Sequence, residues 1–435
     1  MTHLLQVLRL AFRACTTLLG SNRAPAKLAR CGGRLRAGYM AGLLAVGAAS
    51  AQDLTVAQIG PFTGLPSPDA AEINAGAQAF FDSVNAAGGI GGRNIKLLKF
   101  DDGFTAPGFI AQFKVAMDAG PIALLSPIGS AALSKMMQDG LLDSTDVIVM
   151  NAIPGSEQFR NPGHPKLFHV RAGDRAQLER ILGHAKVLSV NEMHVLHQDL
   201  PIGTGGLATV QDLAGRIGGM KVTSTGTKHD PEALTVAARD AAKVPISSSV
   251  IVIGTPKFCA DAIAKWRSGG GRHQIYTLSY VPAGLLTKVV GEAGARGVGI
   301  AQTFPSPQGS KLKLQREFQQ TMQQYAPNIK DYSYFHLEGY VSARVLVAGL
   351  RRAGARVDLE LAALGPVIGA VVVVDIAEEQ ALRLLVDDDA QVATHAHRPK
   401  VLVAGAAELV EGHPRVFGVD LQVEGRGLDL LLLVG

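Results

Sequence analysis

The chain has 435 residues, enough for two or three domains with sizeable cores. Its formal charge is +5, but residues 1–51 carry seven Arg and Lys and no Asp or Glu; taking those seven from +5 leaves −2, which excludes a basic nucleic-acid footprint over the body of the chain. Of its 3 cysteines, Cys15 and Cys31 lie in the basic leader and Cys259 stands alone after it, so neither an internal disulfide nor a cysteine metal site is expected.

Met40–Ala51 is a small-residue apolar run that follows Arg34 and Arg36 and ends in Ala49-Ser50-Ala51. That is the pattern of an export signal cleaved near Ala51, and the run is too short to span a membrane. Leu28–Cys31 is a poor lipid-attachment box, because Arg30 occupies a position that needs a small residue. Leu54–Ile59 reads as a buried strand that stops at Gly60-Pro61. Ala75, Ala79, Phe80, Phe81 and Val84 recur at helical spacing until Gly88-Gly89, and Ile95–Leu98 starts a second strand that ends at Asp101-Asp102-Gly103. A strand, a helix and a strand with no hairpin return form a parallel pair with a right-handed crossover. Ligands then bind beyond the carboxyl ends of the strands, where the loops 60–67 and 101–105 lie.

The alternation continues. Strands are predicted at Ile122–Leu125, Val147–Met150 and Leu167–Val170, with a helix near Ala131–Asp139. A second run follows: helices Ala176–Leu188, Leu207–Ile217, Glu232–Ala242 and Phe258–Arg267 separate strands His194–His197, Lys221–Thr225, Val250–Ile253 and Gln274–Leu278. A short helix Ala283–Val290, a strand Gly297–Thr303 and helices Lys311–Tyr325 and His336–Leu350 complete it. Two such runs predict an α/β protein of two doubly wound parallel-sheet lobes.

The chemistry-bearing motifs are mostly absent. There is no phosphate-binding P-loop, nucleophile elbow or HExxH zinc motif. Gly88–Gly92 follows a helix and precedes a strand, the reverse of an anion-binding loop, and reads as a turn. His194 and His197 fall on opposite faces of a strand and make a poor metal pair. Asp101-Asp102 reads as a loop anchor rather than an acid pair. Small polar loops recur after successive strands. Gly129-Ser130 opens a helix that can hold a carboxylate, although an ordinary N-cap serine explains it equally well, and Gly155-Ser156 is a second such loop. From the other lobe come Ile202-Gly203-Thr204, Thr255 and Ser279-Tyr280, with Phe62 and Tyr280 as apolar walls. No base–nucleophile pair appears among them, which favours binding over catalysis.

On these residues the chain resembles the periplasmic branched-chain amino-acid-binding (Leu/Ile/Val-type) substrate-binding proteins of ABC transporters. The resemblance is carried by LTVAQIGPFTG from Leu54, NAGAQAFFDSVNAAGGIGGRNIKLLKFDDG from Asn74, LLSPIGS from Leu124, NAIPGSEQF from Asn151, HVRAGD from His169 and the late helix Glu338–Gly354. It covers roughly Asp53–Gly354. It implies a type I bilobed fold: a leader 1–51, first lobe 53–172, second lobe 173–303 and a return to the first lobe over 304–354. The interlobe crossings would fall near Arg171–Asp174 and Thr303–Pro307. It implies that a ligand carboxylate is held by Gly129-Ser130 and Gly155–Glu157 (including Ser156), with second-lobe contacts at Ile202-Gly203, Thr255 and Ser279-Tyr280 and a late aromatic at Phe335. It also implies a monomer that hands its ligand to an inner-membrane permease, with no cofactor. Relatives that bind amino acids place tyrosines and an acid in the second lobe to meet the ammonium. Here those positions read Ile202 or Gly203, Thr255 and Ser279, so a carboxylate or amide without an ammonium fits as well.

From Ala355 to Gly435 the chain contains no Ser, Asn, Tyr, Trp, Met or Cys. This is either a third small α/β domain or a tail translated out of frame from GC-rich DNA. The break after a normal Gly-Leu-Arg-Arg-Ala-Gly, and the missing third crossing, favour the second reading. Three functions are open to such a chain: an exported solute-binding protein of an importer, a ligand-sensing module of the same fold, or an α/β enzyme. The last lacks a catalytic constellation.

Overall fold

The computed structural model describes residues 52–64 and 69–354, with four short backbone strands further on. The expected export leader, residues 65–68 of the first loop and most of the 355–435 tail lie outside the described residues.

The first sheet has the order β2-β1-β3-β4-β5, with every pairing parallel. Its strands are β1 (Leu54–Gly60), β2 (Ile95–Asp101), β3 (Ala123–Leu125), β4 (Ile148–Met150) and β5 (Leu167–Phe168). Burial explains the order. β1 and β3 are inner strands buried on both faces, which needs near-continuous apolar sequence; β2 is an edge and alternates. The helices are α1 (Asp69–Ala86), α2 (Ala106–Asp118) and α3 (Ser130–Gln138). The sequence reading missed α2; Thr105 Oγ1 caps it by accepting the Gly108 N–H at 3.0 Å.

The second sheet has the order β10-β9-β8-β6-β7, again parallel throughout. Its strands are β6 (Glu192–Gln198), β7 (Lys221–Thr227), β8 (Ser249–Ile253), β9 (Ile275–Thr277) and β10 (Val298–Ile300). Read from β7, the strands run in the same relative order as in the first sheet, so the fold is α/β with two doubly wound lobes of one topology. Helices α4 (Asp174–Val187), α5 (Pro201–Ile217), α6 (Pro231–Ala241), α7 (Pro256–Ser268) and α8 (Ala283–Ala295) flank this sheet. Helix α5 starts six residues before the predicted Leu207, which makes Ile202 and Gly203 helical rather than loop residues. Helix α8 runs past Val290 through a kink at Gly291, whose φ is 76°.

After the second sheet the chain adds α9 (Lys313–Tyr325) and α10 (Tyr334–Ala353), both packed on α1 of the first lobe. Two glycines allow the α1–α10 contact. A Cβ on Gly76 would lie 1.9 Å from the His336 carbonyl oxygen, and one on Gly339 would lie 2.0 Å from that of Ile73. Ser333 starts α10 with a capping box: its hydroxyl accepts the His336 N–H, and His336 Nδ1 accepts the Ser333 N–H at 3.1 Å. In the tail, β11 (Val401–Val403) pairs in parallel with β14 (Leu430–Leu432), and β12 (Leu421–Val423) pairs antiparallel with β13 (Arg426–Leu428).

Each sheet is covered on both faces. In the second lobe, one apolar cluster holds Trp266, Phe258 and Cys259 under α6 and α7. Burial pushes the Cys259 thiol up to about 12, so it is an inert core residue at neutral pH. The cluster on the opposite face extends across the lobes: Leu178, Val195 and Ile251 of the second pack with Ile73, Ile128, Ile153 and Phe335 of the first.

Candidate ligand-binding site

A cavity of about 250 Å³ lies where the carboxyl ends of both sheets face each other. The first lobe supplies three loops. From the end of β2 come Asp102, Phe104 and Thr105; from the end of β3 come Ile128, Gly129 and Ser130; from the end of β4 come Ile153 and Pro154. Asp69 at the start of α1 and Phe335 at the start of α10 complete that side. The second lobe supplies Leu200, Pro201 and Ile202 after β6, Thr255 and Pro256 after β8, and Tyr280 after β9. Every loop follows a parallel strand and most lead into a helix N-terminus, so backbone N–H groups and helix dipoles turn toward the cavity.

Six of the expected positions therefore come together on one wall or another: Gly129, Ser130, Ile202, Thr255, Tyr280 and Phe335. Gly129 sits at φ 107°, a conformation that requires glycine, and it rather than Ser130 is the N-cap of α3. Ser130 is the first helical residue. No side chain caps this end, which leaves the first N–H groups of α3 open.

Six others are placed elsewhere. Gly155 is buried and its polar groups are taken by the second lobe: its N–H donates to the Tyr280 hydroxyl at 3.0 Å, and its carbonyl accepts the Asp174 N–H at 2.8 Å. Ser156 and Glu157 open a 3-10 turn (Glu157–Phe159) and do not line the cavity; Ile153 and Pro154 take that part of the wall. Gly203 is buried inside α5, against Gln198. Ser279 is buried behind Tyr280, its N–H donating to Gln177 Oε1 at 3.0 Å and its hydroxyl accepting from Arg171. Phe62 is half-buried beside the apolar cluster between the lobes, with Lys99 Nζ 5.9 Å from its ring centre.

The acidic pair after β2 splits into two roles. Asp101 is an exposed anchor that accepts from the Thr63 N–H at 3.1 Å, the Thr63 hydroxyl at 2.6 Å and the Gly103 N–H at 3.1 Å; the hydroxyl bond above all holds its carboxyl below the usual range. Asp102 is 4 % exposed and belongs to the cavity wall, which the sequence reading missed. Its Oδ1 accepts the Phe104 N–H at 2.8 Å, whereas its Oδ2 is covered by protein and has no hydrogen-bond partner among the described residues. Burial, with the Asp101 charge adding, pushes this carboxyl up to about 6.

Beside the cavity, the first crossing carries a polar network that the sequence reading also missed. The Arg171 side chain is fully buried and donates to both oxygens of Glu338 on α10 at 3.3 Å. It also donates to the Ser279 hydroxyl and stacks 5.0 Å from the centre of the Tyr280 ring. Asn151, in a left-handed conformation at φ 58°, accepts the Val170 and Arg171 N–H groups and donates to Glu338 at 2.9 Å. The Tyr280 hydroxyl donates to Asp174, whose carboxyl is raised by burial despite that bond. Tyr280 thus offers the cavity its ring while its hydroxyl is engaged behind it. Among the described residues no group of His, Cys, Asp and Glu could hold a metal ion.

The sequence pattern of the periplasmic binding protein family matches residues 53–364. No curated protein sequence matches. Among solved structures, an extracellular ligand-binding receptor from Verminephrobacter eiseniae is 43% identical, covering 72% of this chain and 89% of its own, with a TM-score of 0.69. A substrate-binding periplasmic protein from Ralstonia solanacearum is 24% identical over 73% of this chain and 88% of its own, with a TM-score of 0.65. A possible leucine/isoleucine/valine-binding protein from Rhodopirellula baltica is 19% identical over 74% and 87%, with a TM-score of 0.66. Two lobes of one topology, closed over a cavity at their strand ends, are the type I architecture of binding proteins rather than enzymes, and this chain belongs to the periplasmic binding protein family.

Proposed function

We propose that the chain is the extracytoplasmic solute-binding component of an ABC importer. It captures a small carboxylate, amide or amino acid between its lobes and delivers it, as a monomer, to an inner-membrane permease. The observation that carries this reading is the cavity walled by strand-end loops of both lobes, because a ligand touching both sides favours the closed state. The start of α3, with Gly129 and Ser130, is the proposed carboxylate seat. Ile202, Thr255, Tyr280 and Phe335 are the proposed wall for the rest of the ligand. The basic leader and its apolar run support export to the periplasm with cleavage near Ala51.

The test is twofold. Fractionation of cells should recover a shortened chain beginning near Gln52 in the periplasm. A thermal-shift screen of carboxylates, amides and amino acids should raise the unfolding temperature for at least one class, since binding stabilises by mass action. An unprocessed cytosolic chain would overturn the export reading. Absence of any stabilising solute would overturn the binding site. A second reading, a ligand-sensing module without a transport role, draws on the similarity to the Verminephrobacter protein, an extracellular ligand-binding receptor. Unchanged solute uptake in a strain lacking the gene would favour it.

A further inference from the structure

We infer that Phe104 is a specificity-determining residue of the cavity, held in a costly backbone conformation so that its ring packs on the apolar body of the ligand. This rests on the solute-binding reading above and adds a contact to it. The turn Asp102–Thr105, closed by the Thr105 N–H on the Asp102 carbonyl at 3.2 Å, has both central residues at positive φ: Gly103 at 58° and Phe104 at 60°. That is the pattern of a type I′ turn, whose central positions go to Gly, Asn and Asp. A Cβ there meets the following carbonyl, and a bulky side chain is an outlier. The other non-glycine residues at positive φ among the described residues are Ser126, Asn151 and Ser189, all small and polar.

Asp102 holds Phe104 in place, its Oδ1 accepting the Phe104 N–H at 2.8 Å. The result is a ring aimed at the site. Phe104 lines the cavity, and its Cε2 lies 3.7 Å from where a Cβ on Gly129 would stand, at the start of α3. A ring kept only for packing would be buried, whereas Phe104 is half-buried at the edge of the apolar cluster between the lobes. Strain retained at a cavity wall points to a use for the side chain. With Tyr280 and Phe335, rings from three separate elements face about 250 Å³, a lining that suits a ligand with a ring-sized apolar body.

The experiment titrates 3-phenylpropanoate, 3-phenylpropanamide and phenylalanine, which share a body and differ at the polar end, into the full-length chain stripped of small molecules by unfolding and refolding. Every probe that binds the parent should lose about tenfold or more in both Phe104→Gly and Phe104→Ala, the share of a ring face in apolar burial. Without ligand, Phe104→Gly should unfold about 2 °C or more above Phe104→Ala, although glycine ordinarily lowers stability relative to alanine. Affinity within threefold of the parent in Phe104→Gly would overturn the inference and leave the solute-binding reading standing. Phe104→Gly unfolding at or below Phe104→Ala would show that no strain is held, and overturns it too. If neither variant folds, the ring serves the core and the inference falls. Binding of no probe to the parent also overturns it; the solute-binding reading falls with it only if native mass spectrometry of the unstripped chain finds no small molecule held.

Discussion

Two regions lie side by side between the lobes and are built to opposite rules. The crossing around Arg171 is dense with charge: a guanidinium, the carboxylate of Glu338, an asparagine and the Ser279 hydroxyl are buried and hydrogen-bonded in one network, and the Tyr280 hydroxyl is bonded to Asp174 beside them. The cavity next to it is walled largely by aliphatic, proline and aromatic side chains, with its polar groups at loop ends. The difference teaches how work is divided. Directional bonds at the crossing fix how the lobes meet, whereas the cavity leaves open the surface a ligand must fill. Tyr280 belongs to both, with its hydroxyl in the network and its ring on the wall.

Replacing Arg171 by Met is expected to have the largest effect. It strands the Glu338 carboxylate in the interior, which costs about 3–5 kcal/mol. Thermal unfolding should fall by roughly 10 °C for a body of this size. Adding Glu338→Leu should recover much of the loss, because a buried pair replaced by apolar groups is often near neutral. If Arg171→Met instead weakens ligand binding while leaving the unfolding temperature unchanged, the division between crossing and cavity is wrong.

Tyr280→Phe tests the residue that the regions share. It removes the partner of the buried Gly155 N–H and of Asp174, at a cost of about 1–3 kcal/mol. The ring stays on the wall, so ligand affinity, measured by calorimetry below the unfolding temperature, should change only a few-fold. A large loss of affinity would mean that the hydroxyl reaches the ligand.

Much of the fold was legible because buried parallel strands leave a local signature. Leu54–Ile59 and Val250–Ile253 are apolar runs bounded by turn residues, and both are inner strands. The errors came where one residue type serves two purposes. No helix is predicted over 106–118, yet proline is tolerated in a first turn, and with Thr105 as cap Pro107 and Gly108 start α2. Pro201, Gly203 and Gly206 read as loop, although Gly203 and Gly206 are small so that α5 can lie against Gln198 and Ile253. In the candidate site, strand ends point to single residues such as Gly129 after β3 and Thr255 after β8, and the structure places both on the cavity wall. In the loop after β4 the structure puts Ile153 and Pro154 on the cavity wall, and Gly155 is held instead by Tyr280, 125 residues further on. The Arg171–Glu338 pair joins residues 167 apart, and no local pattern announces it.

Asp102 offers a test on the cavity side with a sign opposite to that of most carboxylates. Its pKa in the folded chain is raised to about 6, from an ordinary value near 3.8. A raised folded value means that the folded state holds the proton more tightly. The stability is present below pH 3.8 and is lost as the pH rises through about 6. Asp102→Asn removes this dependence. Denaturant titrations should show the variant more stable than the parent at pH 8 by up to roughly 2 kcal/mol, with the gap closing toward pH 4. A gap that is constant with pH would show that Asp102 is ionised without penalty, and the cavity would then be more polar than its walls indicate.

The smallest effect separates the apolar body of the ligand from its charged end. Ile202 lies half-buried in the first turn of α5, where its side chain faces the cavity and its backbone belongs to the helix. Ile202→Ala removes apolar contact without disturbing a hydrogen bond, so stability should change little. Affinity should fall by about 1 kcal/mol, roughly fivefold, the value of a few tens of Å² of apolar surface. Because Ile202 carries no charge, the loss should be the same for a carboxylic acid and its amino analogue. Ser130→Ala, at the open end of α3, should instead weaken carboxylates and leave a ligand's apolar contacts intact. If Ile202→Ala changes the discrimination within a matched pair, the second-lobe wall reads the polar end of the ligand.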